Sequence, residues 1–593
     1  MDKNSLLAIL LSTVVLVGYF VVVSLVQGPK EAQKAANQVE VTAEETEVKS
    51  ENVEDYFNFK SSENKNLTEK EYTIETDKAI VILTNKGGDI VSYKLKDHYD
   101  KEEKDFIQMV DNVNDNNRAF ALSFGANEDN VINDIFNVKV YDDKTIAFYK
   151  NFEVKDADGN VQVVTLGKKY TFKQDDYAFK LDISVNGKDE NGFNLNGSSY
   201  TLRTSPQIGP KYNKNNRYEV RQVLSFNGNK KFRKQISNRS VNRYYEWAGI
   251  GSKYFTILVK PMEPSSMSTT IRQTNENNNS QIFLTRNATT AKSVNDTYYI
   301  YVGPRNEAEL IKYNSNDKNA WQLTGVKFNQ ALSTSGLFNW LEIAYRWCLV
   351  NVNKLVHNWG ISIIIITIIL KLLLFPLSKN QAIGSVKMQK IQPEMEAIQT
   401  KYADNQQKMN EEMHKLYKKV GYNPMSGCLP LLFQLIILMT LYNVFNNYFE
   451  FRGTSFIPGW IDDLSTGDSV YRWEKNIPLI TSLTMNNIRI LPIIYTVLQV
   501  LSGYLTQKAT PATGPNAATM KIMTYVMPVM ILFMLYNAPS GLFIYWCISS
   551  LFAIGQQFVI NAIVKKEKAK DEASKPVVNK NEVKFKGGKK KTR

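Results

Sequence analysis

Residues 359–370 (WGISIIIITIIL) form an uncharged, mainly apolar run of twelve, whereas a helix that crosses a bilayer needs about 20. The run reaches that length only by continuing through Lys371 to residue 377. A lysine is thereby committed to the membrane. An ionisable side chain at that depth is unfavourable unless it faces water or a partner, which makes position 371 a functional candidate on physical grounds alone.

Further apolar stretches at 427–449, 488–507, 521–537 and 541–564, with an N-terminal stretch at 5–26, bring the expected transmembrane helices to six. The first is read as an uncleaved anchor over 1–27 rather than a signal peptide, because its apolar region is long and no A-x-A-like site precedes Gln27, Gly28 and Pro29. Ala538, Pro539, Ser540 and Gly541 leave room for a turn only, so the last two spans form a tight hairpin. These features predict a polytopic α-helical membrane protein with a large exported domain between its first and second spans.

The formal charge of +14 is concentrated in two places. One is the tail at 565–593, which includes Lys565, Lys566, Lys568, Lys570, Lys584, Lys586, Lys589, Lys590, Lys591 and Arg593. The other is the polar segment after the second span, with Lys387, Lys390, Lys401, Lys408, Lys415, Lys418 and Lys419. Basic segments remain on the cytoplasmic side, so both clusters and both termini are expected there, with the long polar part outside. That distribution speaks for membrane topology rather than sequence-specific nucleic-acid binding. Within 384–421, Ile391, Met395, Ile398 and Tyr402 recur at helical spacing, as do Met409, Met413, Leu416 and Val420, with a break at Ala403, Asp404 and Asn405. The pattern predicts a helical hairpin. Two readings fit it: a docking surface for a ribosome, a targeting factor or a nascent chain, or a solvated hairpin whose charges only fix topology.

Residues 28–55 carry much charge and few aromatics and read as a flexible linker. From 56 to 330 the pattern alternates. Tyr177, Phe179, Leu181, Ile183 and Val185 share one strand face; Ile90, Ser92 and Lys94 oppose Val91, Tyr93 and Leu95; turn signals sit at 86–89 and at Asp158, Gly159 and Asn160. Period two predicts half-buried strands, and no helical stretch interrupts before about Asn306, so an antiparallel β-sandwich is expected. Residues 331–357, mixing Trp340, Tyr345 and Trp347 with Glu342, Arg346 and Asn353, suit a helix in the membrane interface; a buried connector is the alternative.

Catalytic chemistry has little support. Cys348, Cys428 and Cys547 all lie in or beside apolar segments, and His98, His357 and His414 stand apart without ligand spacing, so neither a disulfide framework, a metal site nor a Cys/His nucleophile is indicated. No cofactor motif is present, and the chain does not read as an enzyme. The four spans after residue 427 lack aspartate and glutamate, which removes the carboxylate relay of many coupled transporters. What the spans hold is Lys371, with Thr367 on the same face at i, i+4 spacing, and neutral polar groups that include Gln434, Thr440, Gln499, Ser502, Thr524, Ser549, Ser550, Gln556 and Gln557. Converging on Lys371, they would form a wet, positively charged recess; alternatively the lysine snorkels to the headgroups.

Three stretches carry a family resemblance: NWGISIIIIT at 358–367 with Lys371 and Pro376, NPMSGCLPLLFQ at 423–434, and APSGLFIYW at 538–546. Together they resemble the YidC-type membrane protein insertases, relatives of the mitochondrial oxidase-assembly and thylakoid Albino insertases. The resemblance covers 337–564, and the YVGPR ending at 301–305 supports it for the exported domain. It implies a five-helix insertase core over 358–564 with a hydrophilic groove open to the cytoplasm and lipid, a cytoplasmic helical hairpin, a β-supersandwich periplasmic domain, and residence in a Gram-negative bacterial inner membrane. It also implies nascent membrane proteins as clients, the Sec translocon as a partner, membrane lipid as the surroundings, and the basic tail and hairpin as a ribosome contact. Lys371 stands where the family most often has arginine, keeping the charge and losing the bidentate fork. Thr367 matches a groove threonine, and Trp546 falls where the family often has a substrate-contacting aromatic. Phe433, Gln434 and Tyr545 fit groove or slide positions, although apolar packing accounts for them nearly as well. The competing functions are a solute transporter or channel, and a carbohydrate-binding or enzymatic exported domain on a membrane anchor.

Overall fold

Period-two sequence gives the first half of the chain its strands, and these close into three antiparallel sheets. A computed structural model describes residues 60–61 and 67–573, except 101–103, 111–112, 127–129, 156–160, 188–192, 205–208, 211–219, 230, 236–238, 275–278, 290, 292, 333–337, 421–423, 474–483, 485 and 510–516. The N-terminal stretch 5–26, the linker at 28–55, the turn at Asp158, Gly159 and Asn160, and the tail from 574 lie outside the described residues. The chain divides into two compact units between Thr334 and Ser335.

In the first unit a ten-stranded sheet runs in the order Lys60–Ser61, Thr145–Lys155, Val161–Thr171, Ala178–Gly187, Ser293–Pro304, Phe255–Pro261, Trp247–Gly251, Gln222–Phe226, Lys231–Gln235, with Asn137–Val140 also on Thr145–Lys155. A five-stranded sheet (Arg239–Arg243, Met267–Thr274, Asn279–Thr289, Phe193–Arg203, Leu122–Phe124) and a four-stranded one (Glu71–Glu75, Ala79–Thr84, Asp89–Asp100, Asp105–Gln108) cover one face of it. Tyr93 of the smallest sheet lies 6.2 Å from Phe179, centroid to centroid, and the Tyr200 and Tyr298 hydroxyls bridge the other pair at 2.8 Å. Tyr177, Phe179, Leu181, Ile183 and Val185 are all buried on that covered face. The alternation misplaces one residue: Ile90 is buried with Tyr93 and Leu95 instead of pointing out with Ser92 and Lys94. The cause is a β-bulge. Ile82 pairs with Ser92 but Leu83 pairs with Ile90, leaving Val91 as the extra residue that flips the phase.

At the centre of this face the fully buried Lys168 ammonium ion-pairs with Asp89 and donates to Phe120 O at 2.8 Å, while Arg118 Nε reaches Asp89 from the other side at 2.9 Å. Buried charges persist only when paired in this way. After Pro304 the chain turns helical, with Asn306 capping Glu307–Leu310 through Glu309 N. The segment that follows is fastened back to the sheets. Tyr313 bonds Asp176, Trp321 Nε1 donates to Ala178 O at 3.0 Å, and Trp247 Nε1 to Val326 O at 3.1 Å.

Among the described residues the second unit has seven named helices: α1 (Asn339–Val356), α2 (Trp359–Lys401), α3 (Gln406–Val420), α4 (Pro424–Asn447), α5 (Leu491–Ala509), α6 (Ala517–Leu535) and α7 (Ser540–Ala573). Asn358 caps α2, its side chain accepting from Ile361 N at 3.0 Å. Among the described residues two stretches are long and apolar enough to cross a membrane, Trp359–Gln381 and Ser540–Ala562, and Lys521–Leu535 is a shorter apolar helix. From the membrane-length part α2 continues without a break into one arm of a hairpin. Tyr402 to Asn405 make the turn and α3 returns, with Ile391 and Leu416 buried between the arms. Helix α1 buries Glu342, Tyr345 and Leu349 and exposes Trp340, Ile343, Trp347 and Leu355.

Candidate functional site

Burial in the helical unit is strongly graded along α2, α4, α5 and α7. At one end lies the loop joining α4 to α5, at the other the α2–α3 hairpin. On α2 the residues Gly360, Ser362, Ile363, Ile366 and Thr367 are buried, and from Ile368 no described side chain is buried again until Ile391. On α4, Thr440, Leu441, Val444 and Phe445 are buried while Phe433, Gln434 and Leu435 are exposed. On α5 burial stops after Thr496, and α7 is buried continuously from Ser540 to Cys547. The loop-end halves of α2, α4, α5 and α7 form a packed core that their hairpin-end halves do not continue; α6 departs from the pattern, with Thr524 and Pro528 buried and its remaining loop-end residues exposed or half-buried.

Lys371 stands where that core gives out, one helical turn beyond Thr367. Its side chain is half-buried, and among the described residues no carboxylate pairs with it. Its carbonyl accepts from Gln556 Nε2 of α7 at 3.4 Å. The neutral polar groups around this level link helices to one another. Ser550 donates to Gln499 Oε1 at 3.2 Å, Thr506 to Gln557 Oε1 at 3.2 Å, and Gln507 bonds Thr524. A lone cation bordered by amides and hydroxyls can hold water and attract a carboxylate. No metal-holding group of His, Cys, Asp or Glu occurs among the described residues.

The other sequence-derived positions fall in different settings. Thr367 is buried, and its hydroxyl donates to Ile363 O at 2.6 Å, so its polarity is satisfied within its own helix. Tyr545 and Trp546 belong to the packed core: Tyr545 lies 6.0 Å from Phe445, and Trp546 stacks on Tyr495 at 5.0 Å. Phe433 and Gln434 are exposed on the hairpin half of α4, and no hydrogen bond among the described residues joins Gln434 to Lys371. Burial thus separates Lys371, Phe433 and Gln434, which a passing segment can touch, from Thr367, Tyr545 and Trp546, which brace the end of the core.

Sequence reading missed the loop-end network altogether. Asp468, in the α4–α5 loop, is buried. Its Oδ2 accepts from Trp460 Nε1 at 2.9 Å, Ile490 N at 2.8 Å and Leu491 N at 3.1 Å. Arg489 donates to Asp468 O at 2.7 Å and to Asn537 Oδ1 at 3.0 Å. It also missed Glu342, a carboxylate buried against α4, ion-paired to Arg346 and accepting from Asn443 Nδ2 at 2.8 Å. A charged residue set in an apolar helix was the available signal for Glu342. For Asp468 there was none, since its partners come from two other stretches of the loop, at Trp460 and at 489–491.

Comparison with known proteins accounts for both units. Residues 351–568 match the family described as 60Kd inner membrane protein, and residues 71–332 match the YidC periplasmic domain. A relative from Treponema denticola, described as membrane protein insertase YidC, is 40% identical over 512 residues, covering 84% of this chain and 87% of the relative. One of the same description from Treponema pallidum is 33% identical over 626 residues, covering 96% and 100%. A solved structure described as an active YidC insertase with its first transmembrane domain resolved is 21% identical. It covers 83% of this chain and 92% of that one, with a TM-score of 0.34.

Proposed function

The chain belongs to the YidC family of membrane protein insertases, and from that premise we propose that Lys371 is the working charge of a groove through which client segments enter the bilayer. The protein is an inner-membrane insertase with a periplasmic domain, and its clients are nascent membrane proteins. The family is named for insertion and not for a reaction. Because the periplasmic match ends at residue 332, α2 starts on the exported side in our reading, which puts the loop end outside and the hairpin inside. Six spans, cytoplasmic termini and contacts of the hairpin and tail with the Sec translocon or a ribosome complete the reading.

The observation that carries it is the position of Lys371, half-buried and without a carboxylate partner among the described residues, at the level where helix packing stops. A client's hydrophilic flank must cross hydrocarbon to be exported, and each of its charges is disfavoured there by several kcal/mol. A fixed cation beside amide-bearing helices lowers that barrier for an acidic flank. Burial of the client's apolar segment in lipid then drives the step, with no nucleotide consumed. Phe433 and Gln434, exposed on α4, are the client-facing residues of this scheme. Thr367, Tyr545 and Trp546 position it from behind.

Protease protection of a single-span client with an acidic exported tail, synthesised with proteoliposomes, tests the assignment. Lys371→Ala is expected to lower protection about ten-fold, equivalent to roughly 1.4 kcal/mol on the barrier, while Lys371→Arg retains it. Undiminished protection with Lys371→Ala would reduce the lysine to a headgroup anchor.

A further inference from the structure

We propose that the α4–α5 loop is a fixed clasp that seals the exported ends of the helices during insertion, with Asp468 as its positioning residue. The inference rests on the insertase reading, whose groove opens to the cytoplasm and lipid, and adds to it the loop and the residue that keep the opposite ends of the helices closed.

Loop residues 449–473 and 486–490 hold the outer ends of all five long helices. At the start of α2, Gly360 faces Phe456 so closely that a Cβ would run into the ring, and Trp359 packs edge-on against Phe451 at 5.8 Å. At the end of α4, Phe445 stacks on Phe451 at 5.7 Å. The start of α5 is held through Ile490 N and Leu491 N on Asp468, where a carboxylate also meets the positive end of the helix dipole. The end of α6 is held through Asn537 on Arg489 Nε and Tyr536 on Arg489 N at 2.9 Å. The start of α7 is held through Ser540 N on Thr466 O at 2.6 Å and Gly541 N on Leu464 O at 3.0 Å.

Asp468 joins these contacts. It takes three donors on one oxygen, and its other oxygen, Oδ1, is buried without a hydrogen-bond partner among the described residues. Leaving a buried carboxylate oxygen bare is unfavourable, and such a group invites an explanation beyond stability. Gly467 allows the arrangement, because a Cβ there would collide with the Arg489 guanidinium. Among the described residues the hairpin-end halves are joined by scattered side-chain bonds such as Thr506 to Gln557 and Gln507 to Thr524 rather than through a shared loop, and burial fades there on α2, α4 and α5. A client entering from the hairpin side therefore separates helices that are loosely packed while the opposite ends remain closed, and the wet recess never opens to both sides.

Two arms test this in proteoliposomes with the full chain. Breaking the clasp by Asp468→Ala is expected to raise proton leak under an imposed potential about five-fold or more, and Asp468→Asn, which keeps an acceptor oxygen, to give a smaller rise. Tight vesicles with both variants would overturn the proposal. Locking the clasp uses Asn487→Cys with Tyr536→Cys, whose wild-type carbonyl and hydroxyl meet at 3.4 Å, a pair that gives up the Tyr536 bond to Arg489 N but leaves the Asp468 contacts in place, joined by a flexible bis-maleimide after Cys348, Cys428 and Cys547 are replaced by alanine. The cross-linked protein is expected to insert the single-span client at the uncross-linked rate, and loss of insertion on cross-linking would overturn the proposal. A wild-type protein unable to insert the client would instead remove the insertase reading, and this inference with it.

Discussion

Two buried acids in the exported domain respond to removal of their charge in different ways. Asp89 sits between Lys168 and Arg118 with none of the three appreciably exposed, so Asp89→Asn leaves two cations facing each other in a dry core. Breaking such a cluster costs about 3–5 kcal/mol, and urea denaturation of the purified protein is expected to show the domain's midpoint falling accordingly. Asp296 behaves as a titration instead. Burial pushes its carboxyl above the usual range against the opposing pull of Tyr200 and Arg286. A raised folded value means that its contribution is complete below the ordinary carboxylate pKa of about 3.9 and is lost as pH rises through the folded pKa. Asp296→Asn is therefore expected to flatten the decline of thermal midpoint with pH from about pH 4 upward; an unchanged slope would assign that decline to other groups. Neither acid was recognisable in the sequence, because Lys168 is 79 residues from Asp89 and Tyr200 is 96 from Asp296. Lys371 was recognisable because its signal is local: a charge inside a run too short to span without it.

Elements were legible where one period governs them. The strand at Ala178–Gly187 and the α2–α3 hairpin follow their apolar spacing, and the strand at Asp89–Asp100 departs from it at the single bulge on Val91. The gradient of burial along α2 and α4 was not legible, since Ile363 and Leu372 are equally apolar and only packing distinguishes the buried one from the exposed one. Close helix-to-loop approach was hidden for the same reason. Gly360→Ala places a methyl group against the Phe456 ring and is expected to destabilise the helical unit by about 1–3 kcal/mol, the usual range for overpacking. Loss of solubilised protein on heating in detergent is the measurement, and a variant as stable as wild type would show that Phe456 swings aside.

At the scale of the whole molecule, the two units each possess a core of their own, and a chain built in this way unfolds in parts. Calorimetry of the full-length protein is expected to give two transitions, with Asp89→Asn shifting one and Gly360→Ala the other. A single transition moved by both substitutions would show that the units unfold together. The order of strands also sets a schedule for biogenesis. Ser293–Pro304, the last strand made, occupies the middle of the ten-stranded sheet, between Ala178–Gly187 and Phe255–Pro261. As the chain leaves the cell's interior from its N-terminus, the two flanking portions of that sheet wait unjoined, each with a bare edge, until residue 304 arrives. Closure then comes about 35 residues before α1 begins. The exported domain thus passes most of its delivery as an incomplete sheet, exposed to periplasmic proteases and to pairing with other open edges, and it becomes safe from both only as the helices that will insert other proteins begin to emerge.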